Sequence, residues 1–247
     1  MNILNRTMGG SLHCVDHRLN ILLLCGFLLF GGCTERQTPS PENTALANPF
    51  YTQAFAYRDS QQLDSAFRYF YQAKDLFVQQ NDSFGAGKSL VNMAFISLDR
   101  GDYFGTQETA VEALAYLDTA DHAHYHYLST NYNTLGIATY ELQDYANALR
   151  FYDAAIRFSD DSLNTRIYLN NKARVYQAME NYPMAIALYE RILSENSKNP
   201  VEYARALTNL TVARWLQNPE YNAKLELWKA LHIRLRENDR WGQNSSY

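Results

Sequence analysis

The glycine-rich run GAGKS at residues 85–89 contains residue types that could do chemistry, because glycines followed by Lys and Ser are typical of phosphate-binding loops. That motif also requires a glycine five positions before Gly87 and a β-strand ahead of the loop. Asp82 occupies the required position, and no alternating strand pattern precedes it. We therefore interpret the segment as the beginning of a helix rather than as a nucleotide site.

Three alternating histidines, His122, His124 and His126, follow Asp118 and Asp121, and their side chains could bind a metal ion. On a helix only the first and third would share a face, and a histidine pair without a third fixed ligand is a weak site. We interpret the segment as a solvated turn, and we predict no metal site and no bound cofactor. No Ser/His/Asp or Cys/His spacing supports nucleophilic catalysis, so we predict that the chain is not an enzyme.

The N-terminus has the features of an export signal. Residues 19–30 form an apolar run of 12 residues behind Arg18, too short to span a bilayer and suited to the core of a signal peptide. The run is followed by Gly-Gly-Cys33, which resembles the lipobox of bacterial lipoproteins. The resemblance implies that residues 1–32 are a signal peptide and that Cys33 carries lipid. An uncleaved buried helix with an incidental cysteine is the alternative, and Met8 is an alternative start.

Residues 33–49 contain three prolines and no aromatic residue, a composition typical of a flexible tether. A lipid on Cys33 would hold the rest of the chain near a membrane through this tether. We therefore expect an exported protein of the bacterial cell envelope, attached to the outer membrane and facing the periplasm or the cell surface. All three cysteines lie in the first 33 residues, so the remainder can form no disulfide.

From residue 50 onward the hydrophobic pattern is helical, with no alternating Val, Ile or Thr run and no proline between 50 and 182. Residues 133–156 carry the clearest copy of a recurring pattern, at Leu135-Gly136, Ala148, Tyr152 and Ala155. This pattern resembles the tetratricopeptide repeat, whose signature is Leu-Gly in a first helix and Ala-x3-aromatic-x2-Ala in a second. The resemblance implies helical hairpins that bury their apolar faces by stacking.

The pattern recurs along the chain. Equivalent small residues stand at positions 54, 94, 136, 173 and 211, separated by 40, 42, 37 and 38 residues. We predict an all-α fold, a right-handed α-α superhelical solenoid of about five hairpins over residues 50–237. Residues 238–247 match 81–90 as Asn-Asp-x-aromatic-Gly-x3-Ser-apolar, which predicts the start of an incomplete sixth repeat. A short final capping segment is the alternative.

In this resemblance the first helix of each hairpin lines a concave groove. The positions carried onto this chain are Tyr51, Phe55, Arg58, Lys88, Val91, Asn92, Phe95, Asn133, Ile137, Tyr140, Asn170, Asn171, Arg174, Gln177, Arg205, Asn209, Val212 and Trp215. The predicted binding residues among them are Asn92, Asn133, Tyr140, Asn170, Asn171, Arg174, Arg205, Asn209 and Trp215. An amide can both donate and accept, so a row of asparagines could hold an extended peptide backbone. Alternatively, the asparagines bond within the solenoid and bridge adjacent hairpins.

The chain has 22 Lys and Arg against 26 Asp and Glu, for a net charge of −4, which argues against a nucleic-acid partner. The predicted function is non-catalytic binding of a protein or peptide in the groove. The alternative is a truncated sensory input region of a membrane signalling or transcriptional regulator, because the sixth repeat is unfinished. Trp241 and Tyr247, which we expect to be exposed, further predict self-association through the C-terminal face.

Overall fold

The computed structural model describes residues 48–195 and 199–239. This part of the chain is all-α, with no strand, and consists of ten helices. They are α1 Pro49–Asp59, α2 Leu63–Gln79, α3 Ser83–Asp99, α4 Tyr103–Leu114, α5 Tyr125–Glu141, α6 Tyr145–Arg157, α7 Ser162–Ala178, α8 Tyr182–Ser194, α9 Pro200–Gln217 and α10 Lys224–Arg236. A 3-10 turn at His122–His124 precedes α5. Successive pairs form five stacked hairpins, as the repeat pattern predicted.

The predicted signal peptide, Cys33 and most of the tether lie outside the described residues, as does most of the predicted sixth repeat. The helical body begins slightly before the expected boundary at residue 50. Asn48 caps α1, and its Nδ2 donates to the carbonyl of Ala73 at 3.2 Å. Its side chain is buried, so this residue belongs to the packed body and not to the tether.

The tight turns within the first four hairpins, and the turn between α2 and α3, follow one design. A residue with positive φ is followed at once by an N-cap residue, and this pattern recurs at Gln61, Asn81, Gly101, Gln143 and Glu180. In four of these five turns the cap carboxylate or amide accepts the backbone N–H three residues on, as Asp82 does from Gly85 at 2.8 Å, whereas Gln62 makes no such bond. The left-handed residue reverses the chain and the cap satisfies an orphan donor of the next helix. Short turns of this kind keep adjacent helices antiparallel and in register.

Size complementarity sets how closely the two helices of a hairpin approach. Small residues on the first helix face large rings on the second, as for Ala54 with Phe70 and Ala173 with Tyr189. Gly136 is the tightest case, because a Cβ added there would lie 2.7 Å from Tyr152. All these side chains are buried, as the repeat pattern predicted. A larger residue at the small position would force the helices apart.

The fifth hairpin departs from the others in its turn. Six residues, 218–223, separate α9 from α10, and Ala223 is the half-buried residue before the helix rather than a residue within it. Thr211 and Leu227 still line one pocket. None of the ten described helices combines the length and hydropathy needed to cross a bilayer.

The GAGKS run lies within α3, in agreement with its interpretation as a helix start. Its two glycines are buried, and neighbouring side chains leave no room for a Cβ at either position. A Cβ at Gly87 would lie 2.8 Å from Leu117. The glycines therefore permit close packing, and the segment is not a phosphate-binding loop.

Candidate functional site

The first helices of the hairpins, α1, α3, α5, α7 and α9, lie side by side. Helix α3 contacts α5, α5 contacts α7, and α7 contacts α9. A hydrogen bond from Arg58 to Asn92 at 3.2 Å joins α1 to α3. The helices that carry the predicted groove residues therefore form one continuous row through all five hairpins.

Paired asparagine amides connect the central and C-terminal hairpins. Asn171 donates to Oδ1 of Asn133 at 3.0 Å, and Asn209 donates to Oδ1 of Asn170 at 2.9 Å. These bonds are the inter-hairpin bridges that the second interpretation of the asparagines predicted. An amide offers two N–H donors and two acceptor positions, so one bond in each pair leaves hydrogen-bonding capacity for another group. The bridges also fix the direction in which each amide points.

Asn92 is held differently from the other asparagines. Its Nδ2 donates to the carbonyl of Lys88 one turn earlier at 2.8 Å, while its Oδ1 accepts from Arg58. The guanidinium of Arg58 also lies 4.3 Å from the ring centroid of Phe55. Arg58 is thus anchored by an aromatic ring and an amide, which positions its charge at the N-terminal end of the face.

The remaining predicted groove residues differ in whether other side chains of the protein already contact them. The guanidinium of Arg174 lies 5.3 Å from the ring centroid of Tyr140, so these two residues form a cation–π pair between the third and fourth hairpins. Arg205 instead pairs with Glu202 at 3.2 Å, which partly neutralises it. Trp215 is 48% exposed and contributes the largest open aromatic surface of the set.

An apolar pocket of about 230 Å³ lies at the C-terminal end of the face. Trp215, Val212 and Thr211 contribute one wall, and Leu227 and Ala223 the other. Leu227 occupies the position that Tyr152 and Tyr189 fill with rings in the preceding hairpins, and the smaller side chain leaves space. Sequence reasoning did not predict this pocket, although the leucine at an aromatic position was the signal for it.

The alternating histidines do not converge on one site. His124 is buried, its ring stacks on Phe84 at a centroid distance of 4.0 Å, and its Nδ1 accepts the backbone N–H of Asp118 at 2.9 Å. His122 and His126 are exposed. Within residues 48–195 and 199–239 no group of three His, Cys, Asp or Glu side chains could hold a metal. The segment was interpreted as a solvated turn, but His124 is one of its packing residues.

A cluster that sequence reasoning did not single out surrounds Lys88 on α3. Its ammonium lies 4.6 Å from the ring centroid of Phe84, 5.7 Å from that of Tyr51 and 5.9 Å from that of Tyr127. These rings come from α1, α3 and α5, so three hairpins build the cluster. Burial lowers the pKa of Lys88 because the charged form loses its hydration, with Asp82 opposing the effect.

Comparisons with known proteins agree with this architecture. Residues 127–194, the third and fourth hairpins, match the family model described as tetratricopeptide repeat (TPR). No sequence among the curated proteins matches the chain. The apo form of RapI superposes with a TM-score of 0.68 at 15% identity, covering 77% of this chain and 70% of RapI.

Two further solved structures are similar. Nearly identical TPR-like repeats of a kinesin light chain from Podosopora anserina give a TM-score of 0.63 at 14% identity, covering 79% of this chain and 97% of theirs. YrrB, described as a TPR protein with an unusual peptide-binding site, gives 0.54 at 16% identity, covering 78% and 89%. Identities this low establish the fold alone. The described part of the chain is thus a solenoid of five tetratricopeptide-like hairpins, and its residues 127–194 match the tetratricopeptide repeat model.

Proposed function

We propose that this chain is a non-catalytic scaffold that binds an extended peptide segment of a partner protein along its concave face. The observation that carries the proposal is the continuous row of first helices bearing oriented amides and open aromatic rings. The amide pairs Asn133–Asn171 and Asn170–Asn209 hold their groups in fixed directions. Preorganised amides lose little conformational entropy on binding, and they can hydrogen-bond to the backbone N–H and C=O groups of an extended peptide.

Two features of the face would provide anchoring. Tyr140, in cation–π contact with Arg174, offers a ring near the centre, and Trp215 borders the apolar pocket at the C-terminal end. Aromatic and arginine side chains supply most of the energy in protein interfaces, and well-formed apolar pockets accept large side chains. YrrB, whose fold is similar, is described as having a peptide-binding site, and we extend that mode of action to this chain.

The test is a selection of random dodecapeptides by the full-length chain, followed by affinity measurement with fluorescence anisotropy. Trp215→Ala and Tyr140→Ala should each weaken binding about tenfold or more, as expected for anchor residues. Phe104→Ala is the matched control, because Phe104 is an exposed aromatic residue on α4, a second helix outside the face, with 74% of its surface exposed. Equal losses in all three variants, or no selected peptides, would refute the proposal.

We propose further that lipid on Cys33 holds the scaffold at the cell envelope. The support comes from the sequence, namely the short apolar run, the Gly-Gly-Cys33 ending and the proline-containing tether. Incorporation of labelled palmitate during bacterial expression tests this proposal. Cys33→Ser should abolish labelling and Cys25→Ser should leave it unchanged. Labelling that survives the loss of Cys33 would contradict the assignment.

The second candidate is the input region of a longer membrane signalling protein or transcriptional regulator. The match between residues 81–90 and 238–247 favours it, because the repeat pattern resumes after α10. The coding sequence after Tyr247 distinguishes the candidates: further repeats followed by a span of roughly 20 apolar residues would favour the receptor. A stop codon there would favour the scaffold.

Self-association through the C-terminal hairpin is part of the same proposal. Leu225 is 77% exposed and Trp228 is 60% exposed on α10, which leaves adjacent apolar surface on the last described helix. Sedimentation of the full-length chain in detergent should show a dimer that Trp228→Glu dissociates. A monomer at micromolar concentration would refute this part of the proposal.

A further inference from the structure

The outer face of the first two hairpins exposes apolar side chains. Tyr71 and Val78 on α2 and Phe104 and Val111 on α4 each have between 45% and 74% of their surface exposed. In each helix the two residues stand seven positions apart, so they lie on the same side of that helix. We call these four side chains the N-terminal patch. Single exposed apolar residues are ordinary, whereas a contiguous group of them marks an interaction surface.

The contacts of Lys74 show that the N-terminal patch continues from α2 to α4. Its ammonium lies 4.6 Å from the ring centroid of Tyr71 and 3.9 Å from a carboxylate oxygen of Glu112, the residue after Val111 on α4. The same ammonium lies 3.2 Å from Asp75. Only 15% of the Lys74 side chain is exposed, whereas the side chains of Asp75 and Glu112 are about half exposed. The solvent at this surface therefore meets carboxylates rather than the ammonium.

The charge around the N-terminal patch is negative on balance. Helix α4 contains Glu108 and Glu112 but no Lys or Arg, and α2 contains two acidic and two basic residues. The two helices together have four acids against two bases, a net charge of −2. A partner that fits this surface combines apolar side chains with positive charge.

Helix α10 has that complementary character. Leu225, Trp228 and Leu235 are exposed on it. The helix contains four Lys or Arg against one Glu, a net charge of +3. Three of the four bases are exposed, namely Lys224, Lys229 and Arg236. We call the three apolar residues together with these bases the α10 surface.

The middle hairpins treat the same repeat position differently. Trp228 directly follows the large residue of the repeat pattern, as Tyr71 and Val111 do in their hairpins. In the third and fourth hairpins that position holds Asp153 and Glu190, and each forms an ion pair with the next hairpin. Asp153 pairs with Lys172, and Glu190 pairs with Arg214 at 2.7 Å. Of the five described hairpins, the first, second and fifth thus expose an apolar residue at this position.

We infer that the α10 surface of one copy of this chain docks on the N-terminal patch of a second copy, and that the second copy docks on the first in the same way. The inference rests on the self-association in the proposed function and names the surface that receives α10. Apolar side chains meet apolar side chains, and a net charge of +3 meets one of −2. A contact between two α10 surfaces, or between two N-terminal patches, would bring like charges together. Two-fold symmetry makes the favourable contact twice in each dimer.

A cross-linking experiment locates the receiving surface. The full-length chain carrying Trp228→benzoylphenylalanine is prepared with ¹⁴N and with ¹⁵N, mixed in equal amounts in detergent and illuminated. Mass spectrometry should find peptide pairs of mixed isotope that join α10 to residues 63–79 or 103–114. The matched control is Met184→benzoylphenylalanine on α8, a residue 44% exposed in the fourth hairpin, which should give no such pairs. Mixed pairs that join α10 to α10, or the absence of mixed pairs, would overturn the inference.

Charge reversal tests the pairing of the two surfaces. Glu108→Lys with Glu112→Lys makes the surroundings of the patch positive, and Lys224→Glu with Lys229→Glu makes the α10 surface negative. Each double variant alone should dissociate about tenfold or more readily in sedimentation, because like charges then face each other. An equal mixture of the two variants should restore the dimer, since both of its contacts again pair opposite charges. A mixture that stays monomeric would overturn the inference.

A second double variant controls for net charge, and a single variant tests the apolar contact. Glu141→Lys with Glu180→Lys changes the net charge equally at exposed positions outside both surfaces and should leave the dimer unchanged. Phe104→Ser should weaken the dimer about tenfold, as expected for a large apolar contact residue, and Met184→Ser should not. Equal losses in Phe104→Ser and Met184→Ser would contradict the docking surface.

Failure of this inference is distinguishable from failure of the proposed self-association. A monomer at micromolar concentration would refute both. A dimer that Trp228→Glu dissociates, but that the substitutions at Phe104, Glu108 and Glu112 leave intact, would preserve self-association and overturn the inference. In that outcome the N-terminal patch faces a membrane or another protein.

Discussion

The contact between Gly136 and Tyr152 gives the sharpest test of how the hairpins pack. A Cβ at Gly136 would lie 2.7 Å from Cε1 of Tyr152, roughly 1 Å closer than the usual carbon–carbon contact. Tyr152 has 2% of its surface exposed, so its ring can move only by displacing packed neighbours. The fifth hairpin uses the opposite combination at the equivalent positions, Thr211 with Leu227. The perturbation is to transplant that combination into the third hairpin.

The expected energies follow from packing. Gly136→Thr gains only a few tenths of a kcal/mol in helix propensity and should lose about 2–3 kcal/mol of unfolding free energy to overpacking. Tyr152→Leu should lose about 2 kcal/mol because it leaves a cavity. In the double variant the threonine occupies space that the ring has left. The combined loss should therefore be about 2 kcal/mol smaller than the sum of the single losses.

Urea unfolding followed by far-UV circular dichroism measures these free energies, and unchanged m-values confirm that the variants unfold from comparable states. Gly136→Thr with Tyr189→Leu is the control pair, because Tyr189 packs on Ala173 in the next hairpin. The control pair should be additive. If Gly136→Thr with Tyr152→Leu is also additive within about 0.5 kcal/mol, the size-complementarity argument is refuted.

Three further predictions concern side chains that link or support the hairpins. Asn171→Ala should lower the unfolding free energy by about 1 kcal/mol because its hydrogen bond to Asn133 is lost. Adding Asn133→Ala to that variant should cause little further loss of unfolding free energy. Additive losses would contradict the bridge. His124→Phe keeps the stacked ring but removes the acceptor for the N–H of Asp118, so chemical denaturation should show a loss of about 1–2 kcal/mol, and an unchanged midpoint would refute this role. Burial lowers the pKa of Lys88 below its ordinary value of 10.5, so between these two pKa values the unfolded state binds more protons than the folded state. The unfolding free energy of the unsubstituted chain, minus that of Lys88→Met, should therefore rise with pH in this range. A flat or falling free-energy difference between pH 8 and 10.5 would contradict the reasoning.

The repeat pattern predicted the helical body well because its information is local. The small residues at 54, 94, 136, 173 and 211 are all buried, and each defines contacts within one hairpin. The fifth hairpin departs from this regularity, because Ala223 precedes α10 rather than lying within it. The turn before α10 has six residues, against three within each of the other four hairpins, and it contains Pro219, so the helix begins later than in the other repeats.

The candidate site was only partly predictable for a different reason. Sequence spacing placed the asparagines on one face but left open whether they bridge hairpins or contact a ligand. Asn133 and Asn171 meet because the offset between stacked hairpins brings residues 38 positions apart to 3.0 Å. The packing at each interface between hairpins sets this offset, so the hydrophobic period of a single helix does not reveal it.

The amino-acid sequence alone was sufficient to predict the helical class, the number of hairpins and the pairing of small with large residues that lets the two helices of a hairpin pack closely. These properties depend on residues close in sequence and on burial with a period near 3.6. Which polar groups pair, and which remain without a partner, depends on three-dimensional stacking. The isolation of Lys88 among rings from three hairpins illustrates the difference, because its surroundings come from residues 51, 84 and 127. Their convergence requires the folded solenoid, since only stacking brings such distant side chains within reach of one charge.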